Sequence, residues 1–277
     1  MIHEVIKLSD YFKNIRDNVT LTTYVPENFP EWTIGKKRKA LLILPGGGYE
    51  FCSYRESEPV ALKFMSEDIA CFVLRYTCFP DLKYPEPITE ALAAVAYIRR
   101  YAEKYHVLED SISVIGFSAG GHLAATVSCY YDKKEYLDVI GVNKEETKIN
   151  GCILGYPVIS KDLVIESTMG RISDMDEELL DKLSIDKHVT ENFPKTFIWT
   201  TCQDQLVPPI NSIELCKQLV LKGVFVEFHM YPWGAHGGSV CDDTVYNDKM
   251  ASKEDLVNLS YNKAWIKGAA KFIKEYC

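Results

Sequence analysis

The residues most suggestive of chemistry are a serine and its flanking glycines, Gly116-Phe117-Ser118-Ala119-Gly120. The segment follows a short apolar run that is predicted to be a strand, and a helical pattern begins at Ala119. G-x-S-x-G in this strand-turn-helix context places a serine hydroxyl on a sharp, strained turn. Glycine has no Cβ to clash where strand and helix crowd together, and the helix directs its positive dipole end at the serine. Ser118 is therefore the candidate nucleophile.

A serine nucleophile needs a histidine base, and the base needs a carboxylate to orient it. Asp204 follows a predicted strand at residues 195–201, and His236 follows another at residues 224–231. Because the carboxyl ends of parallel strands meet at one edge of a sheet, both side chains are expected near Ser118. The sequence therefore predicts a triad in the chain order serine, aspartate, histidine.

Other aspartates and histidines compete for these roles with weaker support. Asp162, Asp174 and Asp242 do not follow a strand that precedes the histidine strand. His229 lies inside a predicted strand and is expected to pack there, while the helix after the serine carries His122 away from the hydroxyl. No metal-ligand spacing links any of the six histidines, and the sequence predicts neither a metal nor a cofactor.

Three glycines directly follow a buried apolar run at residues 40–44, in the segment PGGGY at 45–49. Backbone N–H groups of such a loop can bind a phosphate or form half of an oxyanion hole. The segment matches neither the phosphate-loop pattern G-x-x-x-x-G-K-[ST] nor the nucleotide fingerprint G-x-G-x-x-G. An oxyanion-binding loop is the favoured interpretation, and a flexible turn is the alternative.

Alternating strand and helix patterns must position these residues. Apolar β-type runs predict the strands, and apolar positions spaced by three and four predict the helices. The predicted strands lie at residues 20–25, 40–44, 70–76, 111–115, 150–156, 195–201 and 224–231, and the predicted helices at 58–67, from 88, from 119, at 211–221 and within 252–276. This alternation predicts a parallel sheet with helices on both faces.

Together these segments resemble small esterases of the α/β-hydrolase superfamily, the group described as acetyl xylan esterase-like. The matching residues are the glycine loop at 45–49, GFSAG at 116–120, Asp204 with Val-Pro at 207–208, and GAHG at 234–237. They occur in the expected order across most of the chain. The resemblance implies an α/β-hydrolase fold, with a mostly parallel sheet of about eight strands, helices on both faces and a small partial cap.

The resemblance also implies a role for each matched residue. Ser118 is the expected nucleophile, His236 the general base and later acid, and Asp204 the group that holds the imidazole in the right tautomer. Backbone N–H groups are expected to bind the oxyanion, namely those of Ala119 and of Gly47 or Gly48. Lipase-type relatives often begin the glycine loop with histidine. Pro45 stands there in this chain, so a hydrogen-bonding anchor of the loop is missing.

The substrate expectation rests on aromatic residues and on a short insertion. Tyr49, Tyr156 and Trp233 lie at loop positions expected to border the nucleophile, where aromatic rings suit sugar faces. Residues 157–193 are predicted to be a small cap or helical excursion, too short to form a deep lipid tunnel. The sequence thus predicts a serine carboxylesterase that hydrolyses acetyl or other short-acyl esters, of sugars or xylo-oligosaccharides, through an acyl-enzyme. The alternatives are a serine peptidase of the same fold and a non-catalytic ligand-binding protein of that fold.

Length, charge and cysteine usage bound the remaining possibilities. A chain of 277 residues is expected to form a single domain, residues 1–277. Its net charge of -8 argues against nucleic acid or an anionic membrane as a partner and leaves a small ester substrate as the expected one. Nine scattered cysteines without a C-x-x-C pair, and no visible signal peptide, predict a reduced cytoplasmic protein.

Overall fold

Apolar strands that alternate with amphipathic helices assemble into an eight-stranded sheet covered on both faces. The computed structural model describes residues 1–31, 33–163, 177–246 and 253–277. The strands of this sheet are β1 (Val5–Lys7), β2 (Thr20–Tyr24), β3 (Arg38–Leu44), β4 (Ala70–Arg75), β5 (Val107–Phe117), β6 (Gly151–Gly155), β7 (Lys195–Thr201) and β8 (Val226–Tyr231).

The strand order across the sheet is β1-β2-β4-β3-β5-β6-β7-β8. β2 runs antiparallel to both of its neighbours, and the pairs from β4 to β8 are all parallel. The carboxyl ends of β5, β7 and β8 therefore lie at the same edge of the sheet. The mostly parallel sheet that the sequence predicts is confirmed.

Helices cover the two faces of the sheet. Their bounds are α1 (Glu58–Met65), α2 (Glu86–Arg100), α3 (Ala119–Tyr130), α4 (Lys134–Ile140), α5 (Lys144–Thr147), α6 (Glu177–Lys182), α7 (Ile210–Leu221), α8 (Lys253–Asn262) and α9 (Ala264–Tyr276). Among the residues described, no helix combines the length and apolarity needed to cross a membrane.

Strand alternation divides the core into two clusters. Leu42 and Leu44 of β3 face a cluster that includes side chains of α2, α3 and α7. Leu41 and Ile43 face the opposite cluster, which includes α1 and α9. Successive strand residues point to opposite faces, so a strand buried on both sides reads as one continuous apolar run.

Several elements differ from the sequence-based expectations. β5 begins at Val107, four residues before the predicted strand, and its pairing with β3 shifts register between Arg38 and Ala40. The three-residue β1 and the short helices α4 and α5 were not predicted. β1 is too short to show an alternation, and its three residues pair with residues of β2 that lie 13 to 17 positions later in the chain.

The predicted cap at residues 157–193 is only partly within the described structure, because residues 164–176 lie outside it. On either side, the chain forms a 3₁₀ turn at Lys161–Leu163, then α6 and a second 3₁₀ turn at Ile185–Lys187. The two sides meet where the Ile185 N–H donates to the Ile159 carbonyl at 2.9 Å. The Asn211 side chain of α7 accepts from the Ile159 N–H at 3.0 Å.

Candidate active site

Ser118 occupies a strained turn between β5 and α3. Its backbone has φ 52° and ψ -120°, a left-handed region that a residue with a Cβ rarely adopts. Three backbone hydrogen bonds hold it there. The Ser118 N–H donates to the Gly155 carbonyl at 3.1 Å, and the Ser118 carbonyl accepts from the N–H groups of His122 and Val158. The surrounding structure thus imposes the conformation that raises the serine above the sheet edge.

The glycines on either side are sterically required. A Cβ on Gly116 would lie 2.0 Å from the Gly120 carbonyl oxygen, and a Cβ on Gly120 would lie 2.1 Å from the Leu44 carbonyl oxygen. Both clashes are with backbone atoms, which cannot rotate away. The close approach of β3, β5 and α3 below the serine therefore depends on the spacing of G-x-S-x-G.

The structure brings the three predicted triad residues together. His236 Nε2 lies 2.8 Å from Ser118 Oγ, and His236 Nδ1 lies 2.7 Å from Asp204 Oδ2. An ionised carboxylate only accepts hydrogen bonds, so these partners place the imidazole proton on Nδ1 and leave Nε2 to accept from the hydroxyl. The arrangement can remove a proton from Ser118 while Asp204 stabilises the charge that forms on the ring.

Backbone N–H groups of the residues that follow Asp204 hold its side chain in its orientation. Its carboxylate is buried, and Oδ1 accepts from the N–H groups of Leu206 and Val207 at 3.0 and 2.9 Å. The second oxygen is thereby left for His236. The residues after Asp204, on which the sequence resemblance partly rests, thus orient the carboxylate through their backbone.

The competing aspartates lie in other surroundings. Asp162 forms an ion pair with Lys187, and Asp242 forms ion pairs with Lys63 and Lys263. Asp174 lies outside the described residues. Within the described structure, Asp204 is the carboxylate that reaches the imidazole of the triad.

The two competing histidines also lie away from the hydroxyl. His229 is not packed inside the sheet as expected, because β8 is an edge strand. Its side chain is 40% exposed and bonds to Glu227. His122 is buried, as the direction of the helix predicts, and it bonds to the Tyr49 hydroxyl and to the Leu183 carbonyl.

The glycine loop and the start of α3 line a common cavity. The cavity has a volume of about 480 Å³, and Gly47, Gly48, Ser118, Ala119 and His236 are among its lining residues. Gly47 and Gly48 have φ values of 125° and 63°, which glycine adopts without strain. In the part of the chain that is described, the N–H groups of Gly47, Gly48 and Ala119 have no hydrogen-bond acceptor. They are available to bind an oxyanion.

The loop has anchors that the sequence did not reveal. The Tyr76 hydroxyl donates to the Pro45 carbonyl at 2.5 Å, and the Gly46 N–H donates to Glu56 Oε2 at 2.8 Å. These two bonds take the place of the histidine anchor that Pro45 cannot supply. No local pattern marks Glu56, which is one of several acidic residues in its region of the sequence.

The three aromatic residues expected to touch substrate have different surroundings. Tyr49 and Tyr156 are buried and are not among the residues that line the cavity at Ser118. The strand-end position that suggested exposure places Tyr156 below His236, with ring centroids 5.0 Å apart. Trp233 is 42% exposed and lines a second cavity of about 890 Å³ that also borders His236. Trp233 is thus the member of the three with a surface open to a ligand.

His122 gives the fold a pH dependence whose sign can be stated. Burial lowers the pKa of His122 below its ordinary value near 6.5. The unfolded chain therefore binds this proton at a higher pH than the folded chain, so the free energy of unfolding falls as the pH drops below about 6.5. We expect His122→Gln to show a smaller loss of unfolding free energy than wild type between pH 8 and pH 5. Urea denaturation at both pH values measures the difference, and equal losses in the two proteins would contradict it.

Comparisons with known proteins place the chain in a family. A model of the BD-FAE family matches residues 28–219. Endo-1,4-beta-xylanase B of Butyrivibrio fibrisolvens is 32% identical over 223 residues, which is 76% of this chain and 34% of that protein. An acetylxylan esterase of Xylanibacter ruminicola is 26% identical over 247 residues, 86% of this chain and 47% of that protein. The chain thus spans between a third and a half of the length of these relatives.

A solved structure matches nearly the whole chain. The acetyl ester-xyloside bifunctional hydrolase of Caldicellulosiruptor lactoaceticus superposes with a TM-score of 0.77 at 29% identity, and 96% of each chain is covered. The family model spans more than half of this chain and includes the glycine loop, Ser118 and Asp204. The chain therefore belongs to the BD-FAE family of α/β-hydrolases.

Proposed function

We propose that this protein is a serine-dependent carboxylesterase that removes acetyl and other short acyl groups from sugars or short xylo-oligosaccharides. The observation that carries the proposal is the continuous hydrogen-bonded line from Asp204 through His236 to Ser118, with distances of 2.7 and 2.8 Å. A nucleophile, a base and an orienting group in this geometry are the parts that acyl transfer needs.

The reaction follows from these positions. Ser118 Oγ attacks the ester carbonyl carbon as its proton passes to His236 Nε2. The tetrahedral oxyanion is stabilised by the N–H of Ala119 and by one from Gly47 or Gly48. His236 then gives its proton to the departing alcohol, which leaves the acyl group on the serine. A water molecule, deprotonated by His236, attacks the acyl-enzyme through a second oxyanion, and the proton returns to Ser118 as the acid is released.

The cavity beyond His236 supports a sugar as the alcohol. Its lining combines the exposed ring of Trp233 with amide side chains, those of Gln203, Gln205 and Asn258. An aromatic face suits the apolar face of a sugar ring, and amides can bond its hydroxyls. Two relatives point to the same substrate class, since they are named acetylxylan esterase and acetyl ester-xyloside hydrolase.

The cavity at Ser118 supports a short acyl group. Of the described residues in the segment 157–193, Val158 is the one that lines it. The other described parts of that segment bond to α3 and α7. For example, the Tyr130 hydroxyl donates to the Lys182 carbonyl, and the Ile159 N–H donates to the Asn211 side chain. These parts therefore add no long apolar channel beside the serine.

The acyl-chain preference tests this proposal. We expect kcat/KM to be highest for p-nitrophenyl acetate or butyrate and to fall at least about tenfold by octanoate, because added methylenes find no apolar channel among the described residues. Steady-state rates on the acetate, butyrate, octanoate and palmitate esters measure it. Release of acetate from acetylated xylose and xylo-oligosaccharides tests the sugar. A maximum at octanoate or longer would refute the short-acyl assignment.

Trp233→Ala tests recognition of the sugar separately from recognition of the acyl group. This variant is expected to lower kcat/KM on acetylated xylo-oligosaccharides more than on p-nitrophenyl acetate, because the ring lies outside the cavity at Ser118. Hydrolysis of p-nitrophenyl acetate without acetate release from any acetylated sugar would support the esterase assignment and would contradict the proposal that the substrate is a sugar ester.

A further inference from the structure

A buried carboxylate connects the two loops that carry the proposed chemistry. The Glu56 side chain belongs to the 3₁₀ turn Tyr54–Glu56, and the residue is only 3% exposed. Its Oε2 accepts from the Gly46 N–H at 2.8 Å, and its Oε1 accepts from the Tyr156 hydroxyl at 2.7 Å. Glu56 forms no ion pair with any lysine, arginine or histidine of the described residues. A buried carboxylate costs free energy unless its oxygens accept hydrogen bonds, and these two donors offset the cost of burying Glu56.

One oxygen of Glu56 holds the oxyanion loop. Gly46 directly precedes Gly47 and Gly48, whose amides are the proposed oxyanion donors. A Cβ built on Gly46 would lie 2.7 Å from Glu56 Oε2 and 3.1 Å from Ser118 Cβ. The carboxylate and the nucleophile therefore lie against the same glycine, and a shift of the carboxylate moves the loop relative to the serine.

The other oxygen holds the histidine loop through Tyr156. The Tyr156 hydroxyl donates to Glu56 and accepts from the Ser239 N–H at 2.9 Å. Ser239 lies three residues after His236 in the same loop. Burial, together with the charge of Glu56, holds the pKa of Tyr156 well above its ordinary value, so the phenol stays protonated and keeps donating. The Tyr156 ring lies edge-on to the imidazole of His236, at an interplanar angle of 72°.

The turn that carries Glu56 is itself tied to the histidine loop. The Ser239 hydroxyl donates to the Arg55 carbonyl at 2.5 Å, and Ser239 has a φ of 47°, which these bonds maintain. The Trp265 indole donates to the Ser239 carbonyl at 3.0 Å. The oxyanion loop, the Glu56 turn and the histidine loop thus form one buried hydrogen-bonded unit.

We propose that Glu56 is a positioning residue. It fixes the positions of the oxyanion donors and of the His236 imidazole relative to each other and to Ser118. The inference rests on the proposed esterase function and adds a residue to it that touches neither the triad nor the expected oxyanion by hydrogen bonding. Its effect is on the tetrahedral intermediate and the transition states that resemble it, because the bound ester carries no oxyanion.

Glu56→Gln tests the proposal with little change of shape. The glutamine carbonyl can accept from only one of the two donors, and its NH₂ group then faces the other. We expect kcat to fall on the order of 10²-fold with KM nearly unchanged, the loss associated with displacing catalytic groups by about 1 Å. The Ki of an acetyl trifluoromethyl ketone, whose adduct carries an oxyanion, is expected to rise in parallel. Glu58→Gln is the matched control, since Glu58 lies on α1 and bonds to Tyr24.

Tyr156→Phe tests the connection from Glu56 to the histidine loop, because it deletes the hydroxyl oxygen through which that connection passes. It is expected to lower kcat with the Gly46 bond intact, and the double variant with Glu56→Gln is expected to lose less than the sum of the two single losses. It also serves as the test if Glu56→Gln does not fold. Folding is checked by circular dichroism and thermal unfolding.

The outcomes separate this inference from the function on which it rests. A wild-type chain that hydrolyses acetyl esters, with a folded Glu56→Gln whose kcat and Ki stay within about twofold, would overturn the inference alone. A variant that raises KM and keeps kcat would do the same, because it would indicate substrate binding. A wild-type chain that neither hydrolyses short esters nor labels with a fluorophosphonate would overturn the proposed function and the inference together.

Discussion

Ser118→Ala is expected to lower kcat on acetyl esters by roughly 10⁴-fold or more, while the protein stays folded. The alanine removes Oγ, whose hydrogen-bond partner is His236, and leaves the backbone bonds of residue 118 in place. Because alanine keeps a Cβ, the strain of a φ of 52° is the same in both proteins. The melting temperature should therefore change little, and the loss of activity should be due to chemistry.

A fluorophosphonate probe measures this prediction independently of the natural substrate. Wild type is expected to label covalently at Ser118, and the alanine variant is expected not to label. Peptide mapping of the labelled protein identifies the site. Labelling of Ser118→Ala at a rate close to that of wild type would show that another residue is the nucleophile and would overturn the proposed mechanism.

Asp204→Asn is expected to cost on the order of 10⁴-fold in kcat through a tautomer change. The N–H groups of Leu206 and Val207 face Oδ1 and would hold the amide oxygen there, so the amide NH₂ would point at His236 Nδ1. Nδ1 would then have to accept, and the imidazole proton would move to Nε2, which faces Ser118 Oγ. A ring protonated at Nε2 cannot take the serine proton.

Steady-state kinetics and imidazole ¹⁵N NMR together check this expectation. The NMR spectrum of the variant should report the proton on Nε2 in place of Nδ1. Asp162→Asn is the matched control, because Asp162 pairs with Lys187 and is expected to leave kcat unchanged. Near-full activity of Asp204→Asn would mean that another carboxylate orients the histidine.

The elbow and the chain order of the site could be predicted because their causes are local. The glycines of G-x-S-x-G stand at fixed spacing from the serine, and a Cβ on Gly116 or Gly120 would lie 2.0 or 2.1 Å from a backbone oxygen. Asp204 and His236 each lie in the loop that follows a strand, and parallel strands end at one edge. Local pattern and sheet geometry therefore sufficed to place three distant residues together.

Elements that depend on distant partners could not be predicted in the same way. β1 has three residues and is stabilised by its pairing with β2, so no alternation of its own marks it. His229 lies in a strand whose pattern suggests packing, yet the strand order places β8 at the edge of the sheet. Whether a strand lies at the edge or in the centre depends on the assembled sheet, so the sequence of that strand alone does not predict it.

Short-range spacing in the sequence is enough to predict the turn at Ser118, the order of the candidate triad and a mostly parallel sheet. The side chains that support the candidate site are brought together by folding and could not be identified from such spacing. Tyr156 and Glu56 are 100 residues apart in the chain and meet at 2.7 Å, and Tyr49 turns inward to His122. Such contacts arise because packing removes these polar groups from water and each must find a partner, wherever in the chain that partner lies.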